Sequence, residues 1–411
     1  MKPHHIHLPL LAIALTLSAF SLQAFRLSAA APVAAVQSRA EIESGLKSHD
    51  RALFITTGWI RDPYIVLGPD GYYYLTGTTP DENDPREQTD PYNTGLGATS
   101  LVGSSVRLWR SKDLVDWEYR GVIFSLSDTA RTDAPPSKAA KKAKAKGKTA
   151  SATPAAPATK GVLWAPELHW LGDRWALIHC PKSIANFALG PIGEKEPKGP
   201  WTQPLGNKLG DKHDPSLLKD TDGTLWVIWQ NATVAPLNKT MTDWAAKPVD
   251  IAPSGSRTSK LGGTRSTIGH EGTTIIQVPG SDKYVFIGTA WSTDGARKGS
   301  YNLYYCTADK ITGPYGPRHF VGRFLGHSVP FQTKDGQWWT GAFYNSNNLP
   351  LPREGIETRD DIGSDAYTIN QRGLTIVPLD VHVLPDGDVY MRATDPAYAT
   401  PGPDEVQKFD K

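Results

Sequence analysis

Five times along this chain, a short apolar run leads through a polar turn into a second run that is rich in aromatic residues. Asp-Gly pairs mark the turn at Asp70-Gly71, Asp222-Gly223 and Asp335-Gly336. An Asp-Gly pair between two apolar runs is the strongest short signal for a β-hairpin. The pattern therefore predicts five antiparallel hairpins. Their first strands begin at Asp62, Ala165, Asp214, Glu271 and His327, and their second strands at Tyr72, Trp175, Leu225, Tyr284 and Trp338.

The hairpins recur with a regular spacing. About 57 positions separate Asp214 from Glu271 and Glu271 from His327, which suits one four-stranded sheet with its loops. A last apolar run at 373–377, followed by 389–391, would return to close a ring. We therefore predict an all-β fold, a five-bladed β-propeller that forms a single catalytic domain over residues 51–400. Material for outer strands recurs at 111–114, 199–201, 242–244 and 313–315.

The two ends of the chain and one internal segment lie outside this repeat pattern. An N-terminal apolar run has the features of a signal peptide over residues 1–24, with cleavage as late as 30, and predicts an exported protein. Residues 25–50 would form a lead-in and 401–411 a C-terminal tail. The insertion 137–161 consists mainly of Ala, Lys, Pro and Thr. We expect it to be disordered, because this composition cannot bury a core.

Charge and cysteine content narrow the possible functions. Lys and Arg number 44, and Asp and Glu number 42, so the chain lacks the basic excess of a nucleic-acid-binding protein. No later stretch approaches the roughly 20 apolar residues of a transmembrane helix. Cys180 and Cys306 both lie in apolar runs, which favours two buried free thiols over a disulfide. The sequence leaves the oligomeric state open.

Three acids stand at the start of predicted inner strands: Asp62, Asp214 and Glu271. A propeller starts its inner strands around one axis, so it would bring the three carboxylates together. Inverting hydrolysis of a glycosidic bond needs a carboxylate that takes a proton from water. It also needs a carboxyl that protonates the leaving oxygen, about 6.5–9.5 Å away. A negative charge near Glu271 would raise the pKa of its carboxyl and keep it protonated. The trio therefore indicates a hydrolase with a carbohydrate substrate.

From about Gly58 to Tyr390, the chain resembles glycoside hydrolase family 43, the five-bladed arabinanases, arabinofuranosidases and β-xylosidases. The resemblance rests on Arg61-Asp62-Pro63, Trp164-Ala165-Pro166, His213-Asp214-Pro215, Glu271-Gly272 and Gly326-His327. It implies that Asp62 is the general base and that Glu271 is the general acid. It also implies that Asp214 modulates the pKa of the acid and orients the substrate.

The resemblance implies further binding roles. His327 would approach a central ion or water, and Arg372 would contact the terminal sugar. A structural Ca²⁺ in the central channel is compatible with the family, and the reaction requires no cofactor. Aromatic rings can stack on sugar faces, and carboxylates and imidazoles can bind sugar hydroxyls. The other candidate substrate-binding residues are Trp164, Glu167, His270 and Trp291, and His169 and His213 are candidates to line the pocket.

These observations predict an exported, inverting and exo-acting glycoside hydrolase, most simply an α-L-arabinofuranosidase or β-xylosidase on polysaccharide side chains or oligosaccharides. Two alternatives stay open. One is a related propeller hydrolase for another glycan, such as an anhydrogalactose-containing algal oligosaccharide, and the other is a propeller that binds carbohydrate without catalysis. Thr273 departs from the family's Glu-Gly-Pro, and Pro330 should disturb strand pairing in the fifth blade. These departures leave the identity of the sugar open.

Overall fold

Successive antiparallel sheets along the chain confirm the predicted five-bladed β-propeller. The predicted signal peptide, nearly all of the insertion 137–161 and Arg372 lie outside the described residues. The computed structural model describes residues 37–56, 58, 60–88, 101–127, 161–180, 186–210, 212–230, 232–260, 262–295, 299–342, 374–402 and 405–409.

In the first four blades, the strands follow sequence order across each sheet. Blade one contains β2 (Arg61–Leu67), β3 (Tyr73–Thr78), β4 (Ser105–Ser111) and β5 (Glu118–Ser125), after α1 (Arg39–Ser48) and β1 (Leu53–Thr56). Blade two contains β6 (Trp164–Trp170), β7 (Trp175–Cys180) and β8 (Phe187–Leu189). Blade three contains β9 (Ser216–Lys219), β10 (Leu225–Trp229), β11 (Thr233–Pro236) and β12 (Val249–Asp250).

A small hairpin leads from blade three to blade four, and blade five completes the ring. The hairpin consists of β13 (Arg257–Thr258) and β14 (Thr264–Arg265). Blade four contains β15 (Glu271–Gln277), β16 (Tyr284–Trp291), β17 (Tyr301–Ala308) and β18 (His319–Gly322). Blade five contains β19 (Phe331–Gln332), β20 (Trp338–Ala342), β21 (Leu374–Val383) and β22 (Val389–Ala393), and α2 (Pro396–Ala399) follows.

The described helices are few and short. Besides α1 and α2, there are 3₁₀ turns at Pro85–Gln88 and Gly206–Lys208. No helix in the described parts of the chain is long and apolar enough to cross a membrane.

The hairpin turns form as the Asp-Gly pairs predict. Gly71, Gly223 and Gly336 all have φ between 80° and 87°, a conformation that glycine adopts without steric cost. Pro330 has the expected effect, because β19 begins only after it and is two residues long. Proline cannot donate a hydrogen bond to a neighbouring strand.

The four segments expected to supply outer strands are instead mostly turns that precede those strands. Residues 112–116 separate β4 from β5, and 313–315 precede β18. Blade two has three strands, and the place of its fourth is reduced to a single bridge between Leu189 and Thr202. The Gly-Pro pairs in two of these segments explain why they turn, since proline lacks the N–H that a strand ladder needs.

The ring is closed by β1, which comes from the lead-in to the propeller. β21 pairs with β20 on one side; on its other side Ile376 pairs with Leu53 of β1, and Leu379 pairs with Ala393 of β22. The run expected to close the ring is therefore the third strand of blade five. Helix α1 lies directly on β1, because a Cβ atom on Gly45 would stand 2.2 Å from Leu53 Cδ2. Ser38 begins this helix with a capping box to Glu41.

We expect Leu53→Ala to lower the free energy of unfolding by about 2–5 kcal/mol. Leu53 is fully buried, in the apolar cluster that joins β1 to blades five and one. Denaturant unfolding of the whole chain measures the effect. Val249→Ala in β12 is the control, because this side chain is 40% exposed and should change stability by only about 0.5 kcal/mol. Equal effects of the two substitutions would contradict closure through β1.

Candidate active site

Each blade presents one residue with a left-handed backbone at or just before its innermost strand. These residues are Asp62 (φ 47°), Ala165 (44°), Asp214 (43°), Gly272 (60°) and His327 (54°). When the blades are aligned on this residue, Glu271 stands one position before it. Arg61 in blade one and His213 in blade three have the same place. The three acids are thus not equivalent. Asp62 and Asp214 have the left-handed backbone themselves, whereas Glu271 precedes the left-handed residue of its blade.

The left-handed residues are held by hydrogen bonds between neighbouring blades. Thr78 at the end of β3 accepts a bond of 2.7 Å from the backbone N–H of Ala165. Thr289 of β16 accepts one of 2.8 Å from the N–H of His327. Cys180 at the end of β7 takes the same position, opposite Trp164, and its sulfur lies 3.5 Å from His213 Nδ1. The bonds to Thr78 and Thr289 fix the inner strands of blades two and five against the second strand of the blade before. In blade four, the N–H of Gly272 instead donates to Asp214 Oδ2 at 3.1 Å.

His327 lies between two of the carboxylates. Its Nδ1 is 3.2 Å from Asp62 Oδ1, and its Nε2 is 3.7 Å from Asp214 Oδ2. Burial lowers the pKa of the imidazole, but the negative charges of Asp62, Asp214 and Glu271 outweigh burial and raise it. Asp62 is fixed on its other side by Thr78 Oγ1, which donates a bond of 2.7 Å to Oδ2.

The surroundings of His327 do not fit the calcium ion that the family resemblance allows. Both ring nitrogens face carboxylate oxygens, and Ca²⁺ takes six to eight oxygen ligands rather than imidazole nitrogen. Among the described residues, the one group of metal-ligating side chains close enough to share an ion does not include His327. The geometry therefore favours an ion pair of His327 with the two aspartates over the expected role as a ligand of a central ion.

Glu271 is the most accessible of the three acids, with 33% of its side chain exposed against 4% for Asp62 and 5% for Asp214. Tyr301 donates a short hydrogen bond to its Oε1. His213 Nε2 lies 3.4 Å from its Oε2. Each oxygen of the carboxylate therefore faces one specific side chain.

The electrostatics of Glu271 differ from the sequence-based expectation. Burial raises the pKa of its carboxyl, but the hydrogen bond from His213, the charge of His327 and the bond from Tyr301 outweigh burial, so that the pKa is lowered. The carboxyl whose pKa is raised is that of Asp214, first through burial and then through the charges of Glu271 and Asp62. The expectation considered only the neighbouring carboxylates and omitted the donors that face Glu271.

Two predicted substrate-binding residues lie in blade two. Trp164 is half-buried, with the guanidinium of Arg61 5.6 Å from its ring centroid. Glu167 points into the interior, where its Oε2 accepts from His169 Nε2 at 2.8 Å and from Ser216 Oγ at 2.7 Å. Its hydrogen bonds thus connect blade two to blade three.

Of the other predicted binding residues, Trp291 does not reach an open surface in the described structure. Trp291 is 3% exposed, and its ring packs at 4.4 Å on Tyr301. We therefore correct its expected stacking on sugar to support of Tyr301. His270 is half-buried and accepts from the backbone N–H of Trp291 at 3.3 Å; burial lowers the pKa of its imidazole. Arg372 lies outside the described residues.

The sequence pattern did not identify Thr78, Cys180 or Tyr301 as parts of the site. Thr78 and Cys180 end the second strands of blades one and two, directly opposite Arg61 and Trp164. Antiparallel register, counted back from the hairpin turn, would have placed them beside the acids. Tyr301 begins β17, a third strand, and nothing in the local pattern indicates that its hydroxyl reaches Glu271.

We expect Gly272→Ala to disrupt the site. A Cβ atom there would lie 2.8 Å from the His327 ring, on a backbone with φ 60° that disfavours a side chain. Gly206→Ala is the matched control, because Gly206 has φ 55° with open space around it and carries only the backbone cost of about 1 kcal/mol. Denaturant unfolding should show a larger loss for Gly272→Ala. Equal losses would contradict the close packing of Gly272 against His327.

The chain is similar to several known proteins. A β-D-galactofuranosidase, xynD of Aspergillus niger, is 28% identical over 160 residues, which are 34% of this chain and 42% of that protein. The structure of the GH43 BlXynB protein from Bacillus licheniformis covers 86% of this chain and 59% of its own at 19% identity and a TM-score of 0.49. The structure of an endo-1,4-beta-xylanase from Bacteroides thetaiotaomicron VPI-5482 covers 84% of this chain and 97% of its own at 18% identity and a TM-score of 0.50.

The chain thus spans less than half of the curated relative and about three-fifths of the Bacillus protein. The likeness to the solved structures concerns the fold alone. A family model, described as glycosyl hydrolases family 43, matches residues 54–359. This range extends from β1 into blade five and contains Asp62, Asp214 and Glu271. The chain belongs to glycosyl hydrolases family 43.

Proposed function

We propose that this chain is an exported, inverting glycoside hydrolase that removes terminal α-L-arabinofuranosyl or β-xylosyl residues from polysaccharide side chains or oligosaccharides. The observation that carries the proposal is the linked cluster of three carboxylates. His327 lies between Asp62 and Asp214. His213 lies between Asp214 and Glu271, with its Nε2 3.2 Å from the first carboxylate and 3.4 Å from the second. Separate carboxylates with distinct surroundings are what acid and base roles require.

Asp62 is assigned the role of general base. Thr78 holds one of its oxygens at 2.7 Å, and His327 Nδ1 is 3.2 Å from the other. A carboxylate fixed in this way has one orientation, so it can hold a water molecule in line with the anomeric carbon of a bound sugar. The proton of that water passes to the carboxylate as the new C–O bond forms.

Glu271 is assigned the role of general acid, because it is the most exposed of the three carboxyls and its Oε2 faces the half-exposed His213. In the free site, its hydrogen-bond donors favour the ionised form. A sugar that covers Glu271 and His213 would exclude water from both. Low dielectric surroundings disfavour a charged pair, so the proton shared by the pair is driven towards Glu271 Oε2. From there it can pass to the leaving oxygen.

A five-membered sugar ring is the substrate class that we favour. The curated relative is named as a β-D-galactofuranosidase. The rings of β-D-galactofuranose and α-L-arabinofuranose have the same size and stereochemistry and differ in the exocyclic group. Similarity to that relative therefore supports an α-L-arabinofuranoside ahead of a β-xyloside as the substrate of this chain.

A panel of nitrophenyl glycosides tests the proposed activity. It contains the α-L-arabinofuranoside, β-D-galactofuranoside, β-D-xylopyranoside and β-D-fructofuranoside. We expect turnover of a furanoside, with the inverted anomer as the first product in a proton NMR time course. A retained anomer would contradict Asp62 as a base. No turnover on the whole panel would contradict the activity on these sugars.

Glu271→Ala tests the role of the acid. Loss of a general acid costs about 10²–10⁴-fold in rate where the leaving oxygen needs a proton. We therefore expect a large fall in kcat/KM on unactivated oligosaccharides and a clearly smaller fall on nitrophenyl glycosides, whose leaving groups need little protonation.

The matched control for this experiment is Glu118→Ala. Glu118 lies on β5 with 53% of its side chain exposed, and its ion pairs at the surface contribute little to stability. Its kinetic constants should match those of the unaltered chain on both substrate types. Equal losses on both substrate types in Glu271→Ala would show that Glu271 is not the acid.

A further inference from the structure

Cys180 occupies a position that the fold does not require to be a cysteine. Thr78 in blade one and Thr289 in blade four have the equivalent place, and each accepts a hydrogen bond from the left-handed residue of the next blade. In blade two, Cys180 stands at this place, opposite Trp164. A hydroxyl oxygen is a better acceptor than sulfur. Acceptance of a backbone hydrogen bond would therefore favour threonine at this position, so the presence of a cysteine needs another explanation.

The thiol is directed at a second ligand-type side chain. Cys180 Sγ lies 3.5 Å from His213 Nδ1. Zinc binds thiolate at about 2.3 Å and imidazole at about 2.0–2.1 Å, so that S and N ligands of one tetrahedral ion stand about 3.5 Å apart. A carboxylate oxygen of Asp214 completes the group, and the three ligand atoms lie within 4.8 Å of one another. A shift of about 1 Å would bring all three to tetrahedral spacing.

The second ring nitrogen of His213, Nε2, has surroundings that are common in metal sites. His213 Nε2 faces Glu271 Oε2 at 3.4 Å and Asp214 Oδ2 at 3.2 Å. A metal-bound histidine usually donates its second N–H to a carboxylate, which fixes the tautomer and strengthens the ligand. With Nε2–H directed to Glu271, Nδ1 is the nitrogen that can lose its proton and offer a lone pair to an ion. Half of the His213 side chain is exposed, at 52%, so an ion can enter from solvent and keep a water ligand.

We propose that Cys180, His213 and Asp214 form a binding site for a thiophilic divalent cation, Zn²⁺, and that occupation of this site stops hydrolysis. Thiolate with imidazole selects zinc over the hard cations Ca²⁺ and Mg²⁺, which prefer oxygen. The site is separate from the central position at His327. Its inhibitory consequence rests on the proposed function, but zinc binding itself does not.

The chemistry of loading follows from the state of the thiol. Cys180 is a buried free thiol before the ion arrives. Zinc binding forms a Zn–S bond and a Zn–N bond, breaks the S–H bond of Cys180 and the Nδ1–H bond of the charged His213, and releases two protons to solvent. The bound ion then holds Asp214, and His213 keeps Glu271 as its carboxylate partner. Glu271 can no longer receive the shared proton from His213, so the acid step is blocked.

Zinc titration of the whole reduced chain by calorimetry, without substrate, tests the site. The variant is Cys180→Thr, which introduces the residue that blades one and four use at this position and should therefore fold. We expect it to bind zinc at least 10-fold more weakly than the unaltered chain, because loss of even an outer-shell partner costs about 10–100-fold in affinity. His4, His5 and His7 near the N-terminus are present in both, so the difference isolates the site.

Cys306→Ala is the control, since Cys306 is the other buried free thiol and lies in β17 of blade four. It should leave zinc affinity unchanged. Co²⁺ gives a second readout, because a thiolate ligand adds a charge-transfer absorption in the near ultraviolet that Cys180→Thr should lack. Equal zinc affinity in Cys180→Thr and the unaltered chain, or no thiolate band with Co²⁺, overturns the proposal.

Hydrolysis assays then separate the two proposals. If the chain cleaves a glycoside, Zn²⁺ should inhibit the unaltered chain and should inhibit Cys180→Thr at least 10-fold less strongly, in line with the affinity difference. Equal inhibition of both would overturn the inhibitory role. If no glycoside is cleaved, the calorimetric difference between Cys180→Thr and the unaltered chain still decides whether the zinc site exists. Failure of the proposed activity is therefore distinguishable from failure of the zinc site.

Discussion

The hydrogen bond from the left-handed residue of one blade to the second strand of the blade before it is the contact on which the site depends. A non-glycine residue in this conformation costs about 1–2 kcal/mol, and it persists only where its surroundings hold it. In blades two and five the holding group is a threonine hydroxyl, on Thr78 and Thr289. The same bond that joins two blades therefore also aims the side chain that starts the inner strand. His327 is directed at Asp62 and Asp214 because its backbone is fixed in this way.

The second constraint is charge. Three carboxylates in one cluster would repel one another strongly in surroundings of low dielectric constant. His327 stands between Asp62 and Asp214, and His213 between Asp214 and Glu271. The two imidazoles thus provide, from the chain itself, positive charge that a bound ion could otherwise supply. They also give each carboxylate a different environment, which is why the pKa values of Asp214 and Glu271 shift in opposite directions.

Local sequence patterns predicted the strands and turns. The features that they did not predict depend on contacts between residues far apart in the chain. The Asp-Gly turns and the short strand after Pro330 follow from residues close together in the chain, and the expected convergence of the acids follows from the repeat of one hairpin pattern. The pairing of β1 with β21 could not be predicted in this way, because the sequence of a four-residue strand does not indicate which strand it pairs with. Trp291 shows the same limit, since a large aromatic side chain suits both a core and a sugar-binding surface. The lowered pKa of Glu271 depends on His213, His327 and Tyr301, which come from three different blades and meet the carboxylate only in the folded chain.

The pairing of β1 with β21 also bears on the order of events during synthesis. Leu53 leaves the ribosome long before Ile376, the residue it pairs with. Loop-closure entropy makes such distant pairings late steps in folding. Blades one to four can each form sheets as they emerge, while the edge of β1 waits without its partner. An unpaired strand edge is a site of association with other chains. The interval between these two strands is therefore the period in which a nascent chain is most exposed to aggregation, and helix α1, which packs directly on β1, is placed to cover that strand during it.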